Sequence, residues 1–196
     1  MTLSKRTFMQ AMAAAAASVQ LPAALAQTKP FKIGLILPMT GPFTSTGRQI
    51  ENGVRLYMAQ QGDKVAGRQV ELVIKDDTGT PDVTKRLAQE LVVNDKVDVL
   101  AGFGLTPLAL ATAPIATQSK TPMVIMAAAT SIITEASPYI VRTSMTLPQV
   151  TLGVAEWAPK NGIKKVVTLV TDYGPGYDAE KTFRDRFIFN GGQILD

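Results

Sequence analysis

The segment Lys32-Ile33-Gly34-Leu35-Ile36-Leu37-Pro38-Met39-Thr40-Gly41 joins a short apolar run to a turn. An apolar run of about four to eight residues that ends at a proline is typical of a strand buried on both faces of a sheet. Residues 48–61 follow, and their apolar side chains recur at the spacing of one helical face, at Ile50, Val54, Tyr57 and Met58. The segment therefore predicts a strand, a turn and a helix.

Strand and helix signals alternate along the rest of the chain. Strands are predicted at residues 69–75, 97–101, 123–126 and 165–171, with a short extended piece at 139–141 and a further strand from Ile194. Helices are predicted at 81–94, 107–118, 147–161 and 177–190. This order predicts an α/β protein with a parallel sheet and helices on both faces. Pro114 is expected to kink or end its helix early, and Trp157, in helical spacing with Val150 and Val154, is expected in the core.

The alternation breaks at Arg142-Thr143-Ser144-Met145-Thr146-Leu147-Pro148, which we interpret as a domain boundary. Residues 27–143 are predicted to form a first α/β lobe of four or five strands, and residues 144–196 a hinge and the start of a second lobe. The part after Pro148 is much shorter than the ~100–150 residues typical of a domain with its own core. We therefore expect the second lobe to be incomplete and the chain to be a fragment of a longer protein.

Residues 1–26 show the three-part pattern of a secretory signal peptide. Lys5 and Arg6 precede an alanine-rich run, and Ala24-Leu25-Ala26 is a small-x-small cleavage pattern that would leave Gln27 as the new N-terminus. The run is too short and too rich in alanine for a membrane anchor of ~20 apolar residues. Residues 4–10 also resemble a twin-arginine motif with lysine in the first arginine place, so Sec and Tat-like export both remain open. We expect a periplasmic protein.

Composition argues against several classes of protein. The chain contains neither cysteine nor histidine, which removes disulfides, thiolate metal sites, the commonest general base and the commonest transition-metal ligand. The formal net charge of +4, to which Lys5 and Arg6 contribute, is too small to indicate binding to nucleic acid. We therefore expect no catalytic residues, no metal, no cofactor and no nucleic-acid partner.

In open parallel sheets, ligands bind beyond the carboxyl ends of the strands. That rule selects the loops at residues 38–47, 102–106, 127–130 and 172–176. Their residues are small, hydroxylic and neutral, Asp172 excepted, and their glycines let backbone amides approach a ligand closely. Such loops can hold a carboxylate or an amide, and they lack a nucleophile–base pair. The candidate hydroxyls belong to Thr40, Thr44, Ser45, Thr46, Thr106, Thr130 and Tyr173.

Three charged residues near these loops are expected to be structural. Asp76 and Asp77 precede Pro81, so a role in the turn before a helix is expected for them. Arg142 lies at the lobe boundary, where it could pair with a ligand carboxylate, but a structural pairing is the preferred interpretation.

An enzyme alternative rests on two motifs. Residues 40–47 nearly match the T-G-x-x-x-G-x-G turn of short-chain dehydrogenases, and Tyr177 with Lys181 matches their Y-x-x-x-K pair, in which tyrosine is the acid/base. Ser45, however, replaces the glycine that approaches a pyrophosphate, and Pro38 and Pro42 remove amide donors. The sequence Lys164-Lys165-Val166 also stands where the catalytic serine is expected. The simpler interpretation of Tyr177 and Lys181 is an exposed i, i+4 pair on a helix.

Taken in order, these segments resemble type I periplasmic binding proteins of the leucine/isoleucine/valine-binding family. The likeness covers nearly all of residues 31–196. It implies two doubly wound parallel-sheet lobes that close over a small-molecule ligand, with an ABC permease and its ATPase as partners. The segments that match are 36–47 with Asn52-Gly53, 76–81, 102–114, 127–130, 139–143 and 172–176.

The resemblance also implies roles for individual residues. Thr46 occupies the place of an aromatic residue that covers the ligand, and Leu105 and Thr106 fall where amino-acid binders carry consecutive serines that grip the α-carboxylate. The loop residues that complete this grip match Ala128, Ala129 and Thr130. Tyr173 matches a second-lobe tyrosine that packs on the ligand.

This chain departs from the serine-rich pattern at Leu105 and Pro107. One hydroxyl donor is lost and apolar surface is gained, so amino acids, aromatic acids, other small carboxylates and amides all remain candidate ligands. The resemblance predicts a monomeric, extracytoplasmic solute-binding component of an ABC importer. A ligand sensor of the same fold remains an alternative.

Overall fold

The computed structural model describes residues 29–195, in which two β-sheets occur. The predicted signal peptide lies outside these residues. The strands are β1 (Phe31–Leu37), β2 (Lys64–Val65), β3 (Arg68–Asp76), β4 (Val99–Gly102), β5 (Met123–Ile125), β6 (Ile140–Arg142), β7 (Lys165–Val166) and β8 (Gln193–Ile194). The helices are α1 (Thr44–Gln61), α2 (Pro81–Val93), α3 (Thr106–Ser119), α4 (Leu147–Lys160) and α5 (Gly174–Phe189), and residues Ser131–Glu135 form a short 3-10 helix.

The larger sheet has the strand order β2-β3-β1-β4-β5-β6. Strand β1 pairs in parallel with both β3 and β4, and β5 pairs in parallel with both β4 and β6, whereas the two-residue β2 runs antiparallel to β3. The predicted parallel α/β sheet is therefore confirmed, with one additional short edge strand. We call β1–β6 with α1–α3 and the 3-10 helix the six-stranded unit, and α4–β8 the two-stranded unit.

The two faces of the larger sheet are covered by different helices. Side chains alternate between the faces of a strand, so Leu35 and Leu37 point to one face of β1 and Ile36 to the other. The Leu35 and Leu37 side packs against α1 through Ile50 and Val54. The Ile36 side forms the larger core, with α2 and α3. Helices thus lie on both faces, as the alternation of strand and helix signals predicted.

Three differences from the predicted element boundaries bear on the packing. Helix α1 begins at Thr44, four residues before the expected start. Helix α3 continues through Pro114 to Ser119, so the expectation of an early end is wrong. Pro114 is on the exposed side of α3, where water can satisfy the carbonyl that it leaves unpaired. Strand β7 spans only Lys165–Val166 instead of 165–171, and Leu169 is 99% exposed. Within residues 29–195, β7 pairs with β8, whose two residues Gln193 and Ile194 provide partners for Lys165 and Val166 only.

The expectation that Trp157 lies in the core is wrong. Its side chain is 57% exposed, and Val150 and Val154 on the same stripe are 46% and 57% exposed. Helix α4 instead buries the small residues Ala155 and Ala158, and it packs against α5. Periodicity identified an apolar stripe correctly, but it does not say which stripe of a helix is covered. Between residues 29 and 195, no helix is both long and apolar enough to cross a membrane.

Candidate functional site

The turn between β1 and α1 depends on a glycine. A Cβ atom at Gly47 would lie 2.3 Å from the carbonyl oxygen of Pro38, which only glycine avoids without backbone movement. Gly47 therefore lets the first turn of α1 pack directly on the end of β1. Thr46 lies in that first turn, half-buried, and its amide donates to the carbonyl of Phe43 at 3.0 Å. Gly47, which resembles the last glycine of a dinucleotide-binding turn, therefore allows α1 to pack closely on the end of β1.

Asp76 fastens this turn to the end of β3. Its carboxylate accepts hydrogen bonds from the Met39 amide at 3.0 Å, the Thr40 hydroxyl at 2.6 Å and the Thr78 amide at 3.1 Å. Partial burial alone would raise the pKa of Asp76, but the Thr40 hydroxyl and these amides together hold the pKa below its ordinary value. Asp77 accepts from the Gly79 amide at 2.8 Å, which confirms the expected role in the turn.

Gly102 and Phe103 connect the carboxyl ends of β1, β4 and β5. Gly102 has a φ of +112°, and a Cβ atom there would lie 2.3 Å from the carbonyl oxygen of Ile36. The fully buried Phe103 donates its amide to Ile36 and accepts at its carbonyl from the amide of Ala128, both at 2.9 Å. This backbone chain places the loops at 102–106 and 127–130 side by side. The carbonyl of Ala129 accepts from the amide of Leu147 at 2.9 Å, which connects the second loop to α4.

Thr106 and Thr130 meet at the centre of this arrangement. Their hydroxyl oxygens are 2.7 Å apart, and the residues are 4% and 5% exposed. Leu105 is the N-cap residue of α3 and supplies no side-chain hydrogen bond to it. The first-turn amides of Thr106 and Leu108 therefore have no partner within the helix, and the positive end of the helix dipole lies beside the hydroxyl pair. A carboxylate is the kind of group that such a site binds.

The N-terminus of α5 lies against the same hydroxyl pair. A Cβ atom on Gly174, the first residue of α5, would lie 3.5 Å from the Thr130 hydroxyl oxygen and 3.6 Å from Cγ2 of Thr106. Tyr173 is the N-cap residue, is 36% exposed and makes no side-chain capping bond. One uncapped helix N-terminus from each sheet unit thus borders Thr106 and Thr130. Sequence reasoning included Gly174 in a candidate loop but did not single it out.

Arg142 places a positive charge behind the Thr130 loop. Its Nη2 donates to the carbonyl of Thr130, which confirms the expected structural pairing. Its Nε and Nη1 are buried, and residues 29–195 supply them with no hydrogen-bond partner. Burial lowers the pKa of Arg142 and the nearby Asp178 carboxylate opposes that shift, yet a guanidinium stays protonated in proteins. The electrostatic potential at Thr130 is therefore raised.

The two residues of the dehydrogenase motif do not form a catalytic pair. The hydroxyl of Tyr177 donates to Asp172, and that hydrogen bond raises the pKa of Tyr177. Lys181 forms its ion pair with Asp185, at 2.6 Å. Tyr177 and Lys181 both lie exposed on α5, as the simpler interpretation expects, but each bonds to a different carboxylate and not to the other. A tyrosine acid/base needs the opposite pKa shift.

A contact that sequence reasoning missed joins the two sheet units. Ser131 donates its amide to Oδ2 of Asp178 at 2.8 Å and its hydroxyl to Oδ1 at 2.9 Å. Ser131 follows Thr130 directly, and Asp178 lies one helical turn beyond Gly174. No local pattern predicts a pairing between residues so far apart in sequence.

Comparisons with known proteins agree with this architecture. A family model described as periplasmic binding protein matches residues 30–196. Leu/Ile/Val-binding protein homolog 6 of Brucella abortus is 45% identical over 183 residues, which cover 93% of this chain and 47% of that protein. The chain thus spans about half the length of the relatives that it matches.

Two solved structures are also similar. The solute binding protein of an ABC transporter from Rhodopseudomonas palustris BisB5, in complex with 3,4-dihydroxybenzoic acid, is 61% identical with a TM-score of 0.83 over 85% of this chain and 46% of that one. A solute binding protein from R. palustris in complex with 4-hydroxybenzoate is 45% identical, with a TM-score of 0.83 over the same shares. This chain therefore belongs to the periplasmic binding protein family, in the type I group that includes the Leu/Ile/Val-binding proteins.

Proposed function

We propose that the full-length protein is the extracytoplasmic solute-binding component of an ABC importer, with a permease and its ATPase as partners and no catalytic activity of its own. In this proposal, residues 27–143 form the first lobe and residues 144–196 the hinge and the start of the second. The ligand carries a carboxylate and binds between the lobes as they close. The observation that carries the proposal is the buried Thr106–Thr130 hydroxyl pair, bordered by the uncapped N-termini of α3 and α5.

The donors around this pair suit a carboxylate that has left water. A buried charge is costly unless several aligned donors replace its hydration, and hydrogen bonds to charged groups are the stronger ones. The Thr106 and Thr130 hydroxyls, the first-turn amides of α3 and the Gly174 amide supply such donors, and the Arg142 charge favours an anion. In this proposal, Leu105, Ala129 and Tyr173 offer apolar surface to the rest of the ligand, and Thr46 contributes a contact from α1.

We propose an aromatic carboxylic acid in preference to an amino acid. Leu105 stands where the amino-acid binders that this sequence resembles carry a serine, so one hydroxyl donor for an α-carboxylate is lost. Leu105 adds apolar surface at the helix start. The relatives that are 61% and 45% identical carry 3,4-dihydroxybenzoic acid and 4-hydroxybenzoate.

A thermal-shift screen of the full-length protein tests this function. A ligand at a hundredfold excess over its Kd stabilises the native state by about 2.7 kcal/mol, which raises the melting temperature by roughly 5–10 °C for a domain of ordinary size. We expect such shifts from 4-hydroxybenzoate and 3,4-dihydroxybenzoate and smaller ones from leucine. If leucine alone shifts the transition, the aromatic ligand class is wrong. If no small carboxylate shifts it, the solute-binding proposal fails.

We also propose that the protein reaches the periplasm by cleavage after Ala26. N-terminal sequencing of protein from a periplasmic extract should begin at Gln27. Replacing Ala26 with phenylalanine should block processing, because the cleavage site requires small residues. Mature protein that retains Met1 and remains in the cytoplasm would contradict both the export route and the importer role.

A further inference from the structure

The contact between Ser131 and Asp178 crosses from one sheet unit to the other. Ser131 begins the 3-10 helix of the six-stranded unit, and Asp178 lies in the second turn of α5 in the two-stranded unit. Both carboxylate oxygens are engaged, Oδ2 by the Ser131 amide at 2.8 Å and Oδ1 by its hydroxyl at 2.9 Å. Both residues are half-buried, so salt screens the interaction less than it screens a surface ion pair.

The position of this contact connects it to the ligand cleft. Ser131 is covalently attached to Thr130, whose hydroxyl bonds to that of Thr106. Asp178 is one helical turn from Gly174, which lies against both threonines. A rigid helix transmits the position of Asp178 to its own N-terminus, so the contact fixes where the amides of that N-terminus stand relative to the hydroxyl pair. Arg142, which bonds to the Thr130 carbonyl, adds a favourable electrostatic interaction with Asp178.

We propose that Ser131 and Asp178 form a clasp that stabilises the closed arrangement of the two units, and that Asp178 is a positioning residue for the ligand cleft. This inference rests on the proposed solute-binding function. Asp178 itself does not contact the ligand. It shifts the equilibrium between open and closed states, and a ligand that binds the closed state gains affinity in proportion to the closed population. Release requires the clasp to open, so its main kinetic effect falls on dissociation.

The test uses the full-length protein with Asp178→Ala, Asp178→Asn, Ser131→Ala and the Ser131→Ala/Asp178→Ala double variant. Loss of hydrogen bonds to a charged group typically changes an equilibrium constant about ten- to a hundredfold. We expect Asp178→Ala to raise the dissociation rate of 4-hydroxybenzoate by about tenfold or more, with a much smaller change in the association rate. Asp178→Asn keeps one acceptor and should lie between wild type and Asp178→Ala. The double variant should be no worse than the worse single variant, since both changes break one contact.

Asp185→Asn is the matched control. Asp185 lies on the same helix and pairs with Lys181 at 2.6 Å, but both side chains are exposed, at 79% for Lys181 and 65% for Asp185. This variant should leave the dissociation rate unchanged. A second readout, the distance between fluorophores placed on the two units, reports opening with no ligand present, and Asp178→Ala should shift the ligand-free protein towards longer distances.

The two readouts separate this inference from the function that it rests on. If Asp178→Ala changes neither the inter-unit distance nor the dissociation rate of bound 4-hydroxybenzoate, the clasp is wrong and the binding function stands. If wild-type protein binds no carboxylate, the proposed function fails, and the ligand-free distances still decide whether the clasp exists.

Discussion

Replacing Gly102 with alanine is expected to destabilise the full-length protein by about 2–6 kcal/mol, because strain and overpacking each cost ~1–3 kcal/mol. Gly102 ends β4 with a φ of +112°, a conformation that alanine rarely adopts. An added Cβ atom would lie 2.3 Å from the Ile36 carbonyl oxygen and 2.9 Å from Cδ2 of Leu37. Ile36 is held by the central pairing of β1 with β3 and β4, so its backbone cannot yield without disturbing both ladders.

Urea-induced unfolding measures this effect, with the midpoint and slope compared between variants. Gly153→Ala is the matched control. Gly153 lies within α4, and an added Cβ atom there meets nothing within 4 Å, so helix propensity predicts a gain of about 0.5–1 kcal/mol. If Gly102→Ala unfolds within about 1 kcal/mol of wild type, the strand-end geometry that places Leu105 and Thr106 is wrong.

Replacing Thr106 with valine is expected to weaken binding of 4-hydroxybenzoate by roughly ten- to a hundredfold. Valine keeps the volume of threonine, so the change removes one hydroxyl, and a lost hydrogen bond to a charged group costs ~1.5–3 kcal/mol. The same hydroxyl bonds to Thr130 at 2.7 Å. The ligand-free variant should therefore also lose about 1 kcal/mol of stability, because the buried Thr130 hydroxyl is left without that partner.

Thr112→Val separates the effect on ligand affinity from the effect on stability. Thr112 is fully buried in the same helix, and its hydroxyl donates to the Leu108 carbonyl at 3.0 Å. That carbonyl points towards the C-terminal end of α3, away from the amides of the first turn. This variant should alter stability and leave the affinity for 4-hydroxybenzoate unchanged. Calorimetric titration of both variants decides the matter. If Thr106→Val binds 4-hydroxybenzoate as tightly as wild type, other residues bind the ligand carboxylate.

The fold was predictable from sequence where the signals are local. The run at 32–37 lies in the sheet centre, where both faces must be apolar, and Pro38 ends it. Gly47 and Gly102 stand where close backbone approach excludes any side chain. The prediction failed where the outcome depends on what an element packs against. Helix α4 carries an apolar stripe that contains Trp157, and apolar residues also follow β7. Both have the composition of buried segments, but within residues 29–195 they remain exposed.

The candidate site was predictable in part. The rule that ligands bind beyond parallel strand ends selects the loops that contain Thr106 and Thr130, and the structure brings their hydroxyls into contact. Their partner on the other unit, Gly174, and the contact of Ser131 with Asp178 depend on how α5 sits against the larger sheet. The position of α5 depends on tertiary packing, and the sequence between residues 131 and 178 contains no local pattern that predicts it.

The proposed cleft binds the carboxylate of a small aromatic acid. Isothermal titration of the full-length protein with 4-hydroxybenzoate, and in parallel with 4-hydroxybenzyl alcohol, tests it most directly, because the alcohol lacks only the charged group. We expect one-to-one binding of the acid and at least about a hundredfold weaker binding of the alcohol, since at least two charge-assisted hydrogen bonds are lost. Equal affinities for the two compounds, or no binding of the acid, would contradict it.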